Sequence, residues 1–299
     1  MDRVAAEGWL REHVRPAGPI ELTHDRPWSQ VLRVPVDDGV VWFKECGAVQ
    51  AFEPRMTAQL AARWPGLVAD VLAYDEERAW LLTADAGTPL GAYGNPPEPW
   101  LDLLPRYAEL QRGEAAHAAD HLEHGVPDLR AETFPQRYED LLTGALPLDL
   151  DEVEALRAFA PRFAELAKKL AGDGVPPSVQ HDDLHQANVY ERDGILRVLD
   201  WGDSAVSHPF GSLIVTFRFL EEATGLALDD PWFARLKAAY LEPWGASAET
   251  LDSALRVTAF AHAFAWARQR DHLPAGEWPR FDRWFAVILR RALRSVEEP

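Results

Sequence analysis

Apolar positions recur at every second residue between residues 28 and 45. Leu32, Val34 and Val36 alternate with Val31, Arg33 and Pro35, and the run is broken by Asp38-Gly39, a pair suited to a two-residue hairpin turn. The returning strand, Val40-Val41-Trp42-Phe43, ends on Lys44. Two more strands are expected at about 68–74 and 79–83, joined by the acidic turn Asp75-Glu76-Glu77. Ahead of this strand-rich region, residues 1–14 read as an amphipathic helix with Val4, Trp9, Leu10 and Val14 as its apolar positions. Within it, a helix at about 52–64 is compatible with Pro54 only if that proline lies in the first turn.

The spacing changes after residue 99. Helices are predicted at about 100–121, 150–171, 211–222, 231–241, 249–270 and 279–295. Val153, Leu156, Phe159, Phe163, Leu166 and Leu170 give the second of these its 3.6-residue period. The last helix should bury Phe281, Trp284, Phe285, Ile288 and Leu289 on one face and leave Arg283, Arg290 and Arg294 off it. The segment 85–99, rich in Gly and Pro, reads as a hinge. The expected organisation is α+β: a strand-rich domain over 1–84 and a larger helical domain over 85–299.

The 299 residues include one cysteine, Cys46, so neither an internal disulfide framework nor a cysteine-rich zinc site can form. No apolar run nears the roughly 18 residues of a membrane span, and the first residues lack a signal-peptide core, so a cytoplasmic protein is expected. The net charge of −18 argues against nucleic acid as a partner and is compatible with a cationic small substrate. The sequence carries no signal of oligomeric state.

The chemistry concentrates in residues 181–203, HDDLHQANVYERDGILRVLDWGD. Asp183 stands five residues before Asn188, an Asp193-Gly194 turn follows, and the apolar run from Ile195 to Leu199 ends at Asp200. A carboxylate that accepts a hydroxyl proton, an amide oxygen and a second carboxylate for Mg²⁺ are what phosphoryl transfer asks of a protein. Lys44, at a strand end, can reach nucleotide phosphates, and Glu53 on the next helix can aim it.

This segment resembles the catalytic loop of the aminoglycoside phosphotransferase and choline kinase family, which has a two-lobed protein-kinase-like fold. His181, Asp183 and Asn188 match the kinase pattern of His, any residue, Asp, then Asn five positions on. Asp200-Trp201-Gly202-Asp203 matches the metal-binding segment of the small-molecule kinases. The resemblance implies a Mg²⁺-dependent transfer of a nucleotide's γ-phosphoryl group, from ATP or alternatively GTP, to a small molecule's hydroxyl. Amino sugars, aminoglycosides and amino alcohols are the leading acceptors. It implies Asp183 as the catalytic group and Asn188 and Asp200 as metal ligands. Lys44, Glu53, Ser29 and the hinge residues Ala84 and Ala86 fall on the nucleotide. Asp182, His185, Asp203 and Trp266 fall near the acceptor.

The chain departs from the family at two places. Where a Gly-rich phosphate loop is expected it has Pro27-Trp28-Ser29-Gln30. Where relatives place an Asp that braces the catalytic loop it has Ser212, after Ser207-His208-Pro209. A catalytically silent nucleotide-binding kinase-like protein is therefore the alternative. A hydrolase using His181 and His185 as metal ligands is a third reading.

Overall fold

The computed structural model describes residues 1–297; the last two residues of the expected second domain, 298–299, lie outside the described residues. The chain forms two compact units, Met1–Asn95 with Gln186–Gly202, and Pro96–His185 with Asp203–Pro299.

The first unit is built on a five-stranded antiparallel sheet in the order β1-β2-β3-β5-β4. Its strands are β1 (Glu21–Arg26), β2 (Ser29–Val36), β3 (Gly39–Cys46), β4 (Val71–Asp75) and β5 (Trp80–Ala84), with helix α1 (Arg3–His13) before them and α2 (Glu53–Arg63) between β3 and β4. Leu32 and Val34 of β2 alternate into the core with Val41 and Phe43 of β3 and Leu82 of β5. Trp9 of α1 closes this core edge-on to Phe43 and Trp80 at 5.8 and 5.7 Å. Asp2 caps α1 by accepting from the Val4 and Ala5 amides. Val4, assigned to the buried face from its spacing, is 83% exposed; Ala6 takes its place against the sheet.

The hairpin turn also differs in register. Val36 pairs with Gly39, so the two loop residues are Asp37 and Asp38, and Gly39 opens β3 at φ +136°. Strand β1 has no alternating apolar pattern and its side chains are mostly exposed, which is why the sequence does not announce it.

A second, smaller sheet completes this unit, in the order β10-β9-β6, from β6 (Thr88–Pro89), β9 (Val189–Arg192) and β10 (Ile195–Val198). The pairing of Thr88 with Glu191 and Pro89 with Tyr190 carries the unit past residue 84. Arg192 pairs with Ile195 across Asp193 and Gly194, which both take positive φ, 54° and 75°, as a type I′ turn requires.

The second unit contains α3 (Glu98–Glu114), α4 (Ala118–Glu123), α5 (Phe134–Thr143), α6 (Leu150–Ala171), α7 (Leu213–Thr224), α8 (Pro231–Leu241), α9 (Ala248–Asp271) and α10 (Trp278–Glu297). Its one small sheet has the order β7-β11-β8, from β7 (Asp128–Leu129), β8 (Ser178–Gln180) and β11 (Ala205–Ser207). α5 is absent from the sequence expectation although Phe134, Tyr138 and Leu141 are spaced helically and buried. In α10, Phe281, Phe285, Ile288 and Leu289 are buried as expected. Trp284 is 61% exposed and leaves that face, because its position falls at the edge of the stripe formed by Phe281, Phe285, Ile288 and Leu289. Arg290 pairs with Glu152 of α6 at 2.5 Å. Among the described residues no helix is long and apolar enough to cross a membrane.

Phe163 of α6 is fully buried and touches Phe134, Tyr138, Phe260 and Phe264 at ring distances from 4.6 to 6.2 Å. Phe163→Ala should lower the free energy of unfolding by about 3–5 kcal/mol, through lost burial and the cavity left behind. Denaturant titration checks this; a loss under about 1 kcal/mol would show that the aromatic cluster collapses freely.

Candidate active site

In the first unit, alternation along β3 sends Phe43 into the core and Lys44 to the opposite face, with Cys46 two residues on. α2 begins at Glu53 with Pro54 in its first turn, where the missing N–H costs nothing. The Lys44 ammonium is 2.6 Å from Glu53 Oε2 and 2.5 Å from Asp200 Oδ1. Glu53 is only 1% exposed and also accepts from the Cys46 thiol at 3.3 Å. Burial disfavours the charged ammonium, but Asp200 and Glu53 outweigh it and hold the Lys44 pKa well above the ordinary lysine value. Burial in turn raises Glu53, with Lys44 working against the shift.

The Asp200-Trp201-Gly202 turn crosses close to α2. A Cβ on Gly202 would come within 2.6 Å of both Gln50 Cδ and Glu53 Oε2, so a side chain here would have to displace the buried Gln50 amide and the Glu53 carboxylate that faces Lys44. Asp200 itself sits at φ +62°, and its carboxylate is 52% exposed beside Lys44. The Leu199 amide donates to the Asn188 carbonyl at 2.9 Å, continuing the β9–β10 ladder by one position. That places Asn188 next to the strand end that carries Asp200. An amide oxygen and a half-exposed carboxylate on adjacent ladder positions fit Mg²⁺, which commonly takes one or two protein carboxylates and keeps water or phosphate oxygens as its other ligands.

The expected phosphate loop is replaced by a tight turn. Arg26 pairs with Ser29 across Pro27 and Trp28, and the Gly47 amide donates to the Trp28 carbonyl at 2.7 Å. Ser29 is buried at the head of β2 and pairs with Cys46. His24 of β1 lies within electrostatic range of Asp200 and Lys44. Burial, then Arg26, lowers its pKa. No sequence pattern singled it out, since β1 itself was not legible. Ala84 donates to the Asp70 carbonyl at 2.9 Å and Ala86 is buried just beyond it.

In the second unit, residues 181–185 are fixed from four elements. The His181 amide donates to Ser212 Oγ at 3.1 Å and to the Tyr107 hydroxyl at 3.3 Å, and these two hydroxyls are 2.8 Å apart. Gln111 reaches the same Ser212 oxygen and also donates to the carbonyls of Val179 and Pro209 at 2.8 and 2.9 Å. Ser212 therefore makes the bracing contact that the resemblance gives to an aspartate. Thr216 of α7 donates to the Leu184 carbonyl at 2.7 Å.

Asp182 is 4% exposed at φ +64°, a conformation that strains any residue with a Cβ. Its carboxylate accepts from Gln180 at 2.7 Å and is 2.9 Å from His262 Nδ1 of α9. Burial opposes a charged imidazole, but the charge and hydrogen bond of Asp182 prevail and raise the His262 pKa. The His262 contact was not foreseen; eighty residues separate the partners.

Asp183 has its carboxylate at the surface of this unit, with Oδ2 3.3 Å from His185 Nε2. His181 Nδ1 accepts from the Asp183 amide at 3.3 Å, which leaves the ring proton on Nε2. His185 stacks on Phe219 at 4.6 Å. Asp203 accepts from Gln269. Trp266 packs on Phe281 at 4.6 Å and stands edge-on to His262. A cleft of about 390 Å³ in this unit is lined by Asp128, Asp140 and Asp271 together with Arg137, Arg268 and Arg270. Arg268 also feels the charges of Asp203 and Asp182. Among the described residues no three His, Cys, Asp or Glu side chains gather as a metal cluster, so His181 and His185 do not belong to one.

No protein-family model matches the chain, and no curated protein matches its sequence. Solved structures do. A choline/ethanolamine kinase family protein from Mesorhizobium loti superposes with a TM-score of 0.62 at 18% identity, over 99% of this chain and 95% of that one. Choline kinase LicA from Streptococcus pneumoniae gives 0.64 at 13%, over 97% and 99%. The GDP complex of aminoglycoside 2'-phosphotransferase-IIIa gives 0.62 at 13%, over 98% and 99%. The chain has the α+β, protein-kinase-like fold of these proteins.

The raised His262 pKa predicts a pH dependence. The fold favours the protonated ring, so its contribution should be complete below the ordinary histidine pKa of about 6.5 and lost as pH rises through the higher folded value. His262→Ala should cost about 3–5 kcal/mol by leaving the buried Asp182 carboxylate without its ion-pair partner and held only by Gln180. Asp182→Gly in the same chain removes both that charge and the backbone strain, and should recover most of the loss. Urea unfolding between pH 6 and pH 9 tests this. Equal pH slopes for the wild type and the double variant would refute it.

Proposed function

We propose that the protein is a small-molecule kinase that moves the γ-phosphoryl group of ATP, or of GTP, to a hydroxyl of a small acceptor in the cytoplasm. The observation that carries this reading is the Lys44 ammonium held between Glu53 and Asp200, with Asn188 beside Asp200 on the ladder. The strand-rich unit would bind the nucleotide and the helical unit the acceptor. The GDP complex of the similar phosphotransferase supports a nucleotide donor.

Lys44, fixed in direction by Glu53, neutralises phosphate charge. Asn188 and Asp200 would hold Mg²⁺, whose contribution is to offset charge on the phosphate oxygens. Asp183 orients the acceptor hydroxyl and takes its proton as the bond to phosphorus forms. Ser29, Ala84 and Ala86 border the nucleotide in this reading. Asp182, His185, Asp203 and Trp266 shape the acceptor side, with Asp182 acting through its hold on the loop. The chain's acidity and the choline kinase and aminoglycoside phosphotransferase among similar structures favour an amino sugar, aminoglycoside or amino alcohol as acceptor.

The turn at Pro27-Trp28 in place of a Gly-rich loop favours a second reading, a silent nucleotide binder. Against it stands the retention of Lys44, Glu53, Asp183, Asn188 and Asp200 in one chain.

Asp183→Asn should lower kcat by a factor of about 10² or more and leave nucleotide binding close to wild type. This is measured by coupled turnover assay together with nucleotide titration; undiminished turnover would remove Asp183 from the mechanism. Asp200→Ala should abolish Mg²⁺-dependent nucleotide binding. If calorimetry finds the same Mg²⁺ dependence in this variant, the ligand assignment fails. A wild-type chain that binds nucleotide with Mg²⁺ yet neither transfers nor hydrolyses it would establish the silent reading.

A further inference from the structure

A cationic acceptor needs carboxylates that are available to it. Asp182 is buried and held by His262 and Gln180, and Asp203 accepts from Gln269. A guanidinium stands close by. Arg218 of α7 lies half-buried with its Cζ 4.7 Å from the Phe219 ring centroid. The same ring stacks on His185, whose Nε2 is 3.3 Å from the Asp183 carboxylate. Arg218, Phe219, His185 and Asp183 thus form one continuous wall.

Among the described residues Arg218 has no carboxylate within ion-pair distance. Its charge is attracted at longer range by Asp183 and Glu222 and repelled by Arg291 of α10. Burial and Arg291 both act against the guanidinium, yet an arginine stays charged in proteins. A second arginine, Arg268 in the wall of the 390 Å³ cleft, lies within range of Asp182 and Asp203. A half-buried guanidinium repelled by Arg291 and lying within range of the Asp183 carboxylate matches an anion. Carboxylates and phosphates engage its planar fork through two parallel hydrogen bonds.

We propose that the acceptor is a small alcohol bearing an anionic group, a carboxylate or a phosphate, and that Arg218 binds this group while Asp183 faces the hydroxyl. This rests on the phosphotransferase reading and replaces its cationic acceptor with an anionic one.

The test uses the full chain with Mg-ATP and matched acceptors. Glycerate and glycerol 3-phosphate are compared with glycerol, homoserine with 3-aminopropan-1-ol, and choline and kanamycin serve as cations. The expected result is a kcat/KM at least tenfold higher for one anionic compound than for its uncharged-group counterpart. Whether the carboxylate or the phosphate arm gains identifies the anion. Arg218→Gln should collapse that ratio toward one and Arg218→Lys should retain part of it, with thermal melting showing that both variants fold.

Preferred turnover of choline or kanamycin, or a ratio that Arg218→Gln leaves intact, overturns the inference while the phosphotransferase reading stands. If none of these compounds is phosphorylated, slow Asp183-dependent nucleotide hydrolysis supplies the readout. Inhibition of that hydrolysis by glycerate or glycerol 3-phosphate, lost in Arg218→Gln, supports the anion site, and its absence overturns it. No Mg²⁺-dependent nucleotide consumption of any kind overturns the phosphotransferase reading, and this inference with it.

Discussion

The helical unit depends on how one buried backbone amide, that of His181, is satisfied. The chain leaves β8 at Gln180 and immediately enters the loop that presents Asp183. An unpaired N–H at that depth would cost on the order of 1–3 kcal/mol. Ser212 Oγ and the Tyr107 hydroxyl accept from it, and Gln111 ties the same cluster to the Val179 and Pro209 carbonyls. Tyr240 then donates to Gln111 Oε1 at 2.6 Å, so α3, α8 and the Ser212 turn share one polar network. Burial raises the pKa of the Tyr107 hydroxyl and keeps it protonated, so it remains a donor as well as an acceptor. Satisfied networks of this kind select a single arrangement. Here that arrangement sets the start of the loop that carries Asp183.

The strand-rich unit solves a different problem. It must bury a glutamate and keep a lysine charged. Glu53 is held where α2 begins, which suits a carboxylate through the helix dipole, and it faces Lys44 and the Cys46 thiol. Gly202 lets the chain after Asp200 pass within contact of Glu53 without a side chain between them. The Asp-Trp-Gly sequence is thus explained locally. Asp200 supplies charge to Lys44, Trp201 is buried, and the glycine gives clearance.

Legibility followed local physics. The helix at 150–171 matches Leu150–Ala171 because its apolar period is strong, and the one at 231–241 matches Pro231–Leu241, whose start is fixed by Asp230 accepting from the Trp232 amide. The Asp193-Gly194 turn was legible because a type I′ geometry demands residues that accept positive φ. β1 was not, since an exposed edge strand needs no apolar alternation. Val4 was misassigned because it stands on the face of α1 roughly opposite Ala6, Trp9 and Leu10, and Trp284 because it falls at the edge of the stripe of Phe281, Phe285, Ile288 and Leu289.

The sequence by itself determined the chemical inventory. Asp183, Asn188, Asp200, Lys44 and Glu53 were all recognisable, because groups of this kind are constrained by spacing along a short loop or by their place at a strand end and a helix start. Tertiary structure decided how those groups are held. It turned Ser212 from a departure into the brace of His181. It committed Asp182, which the resemblance places near the acceptor, to His262. It also brought Arg218 into the wall that holds Asp183. These are contacts between residues dozens of positions apart, made by packing rather than by local pattern, and neither net charge nor periodicity encodes them.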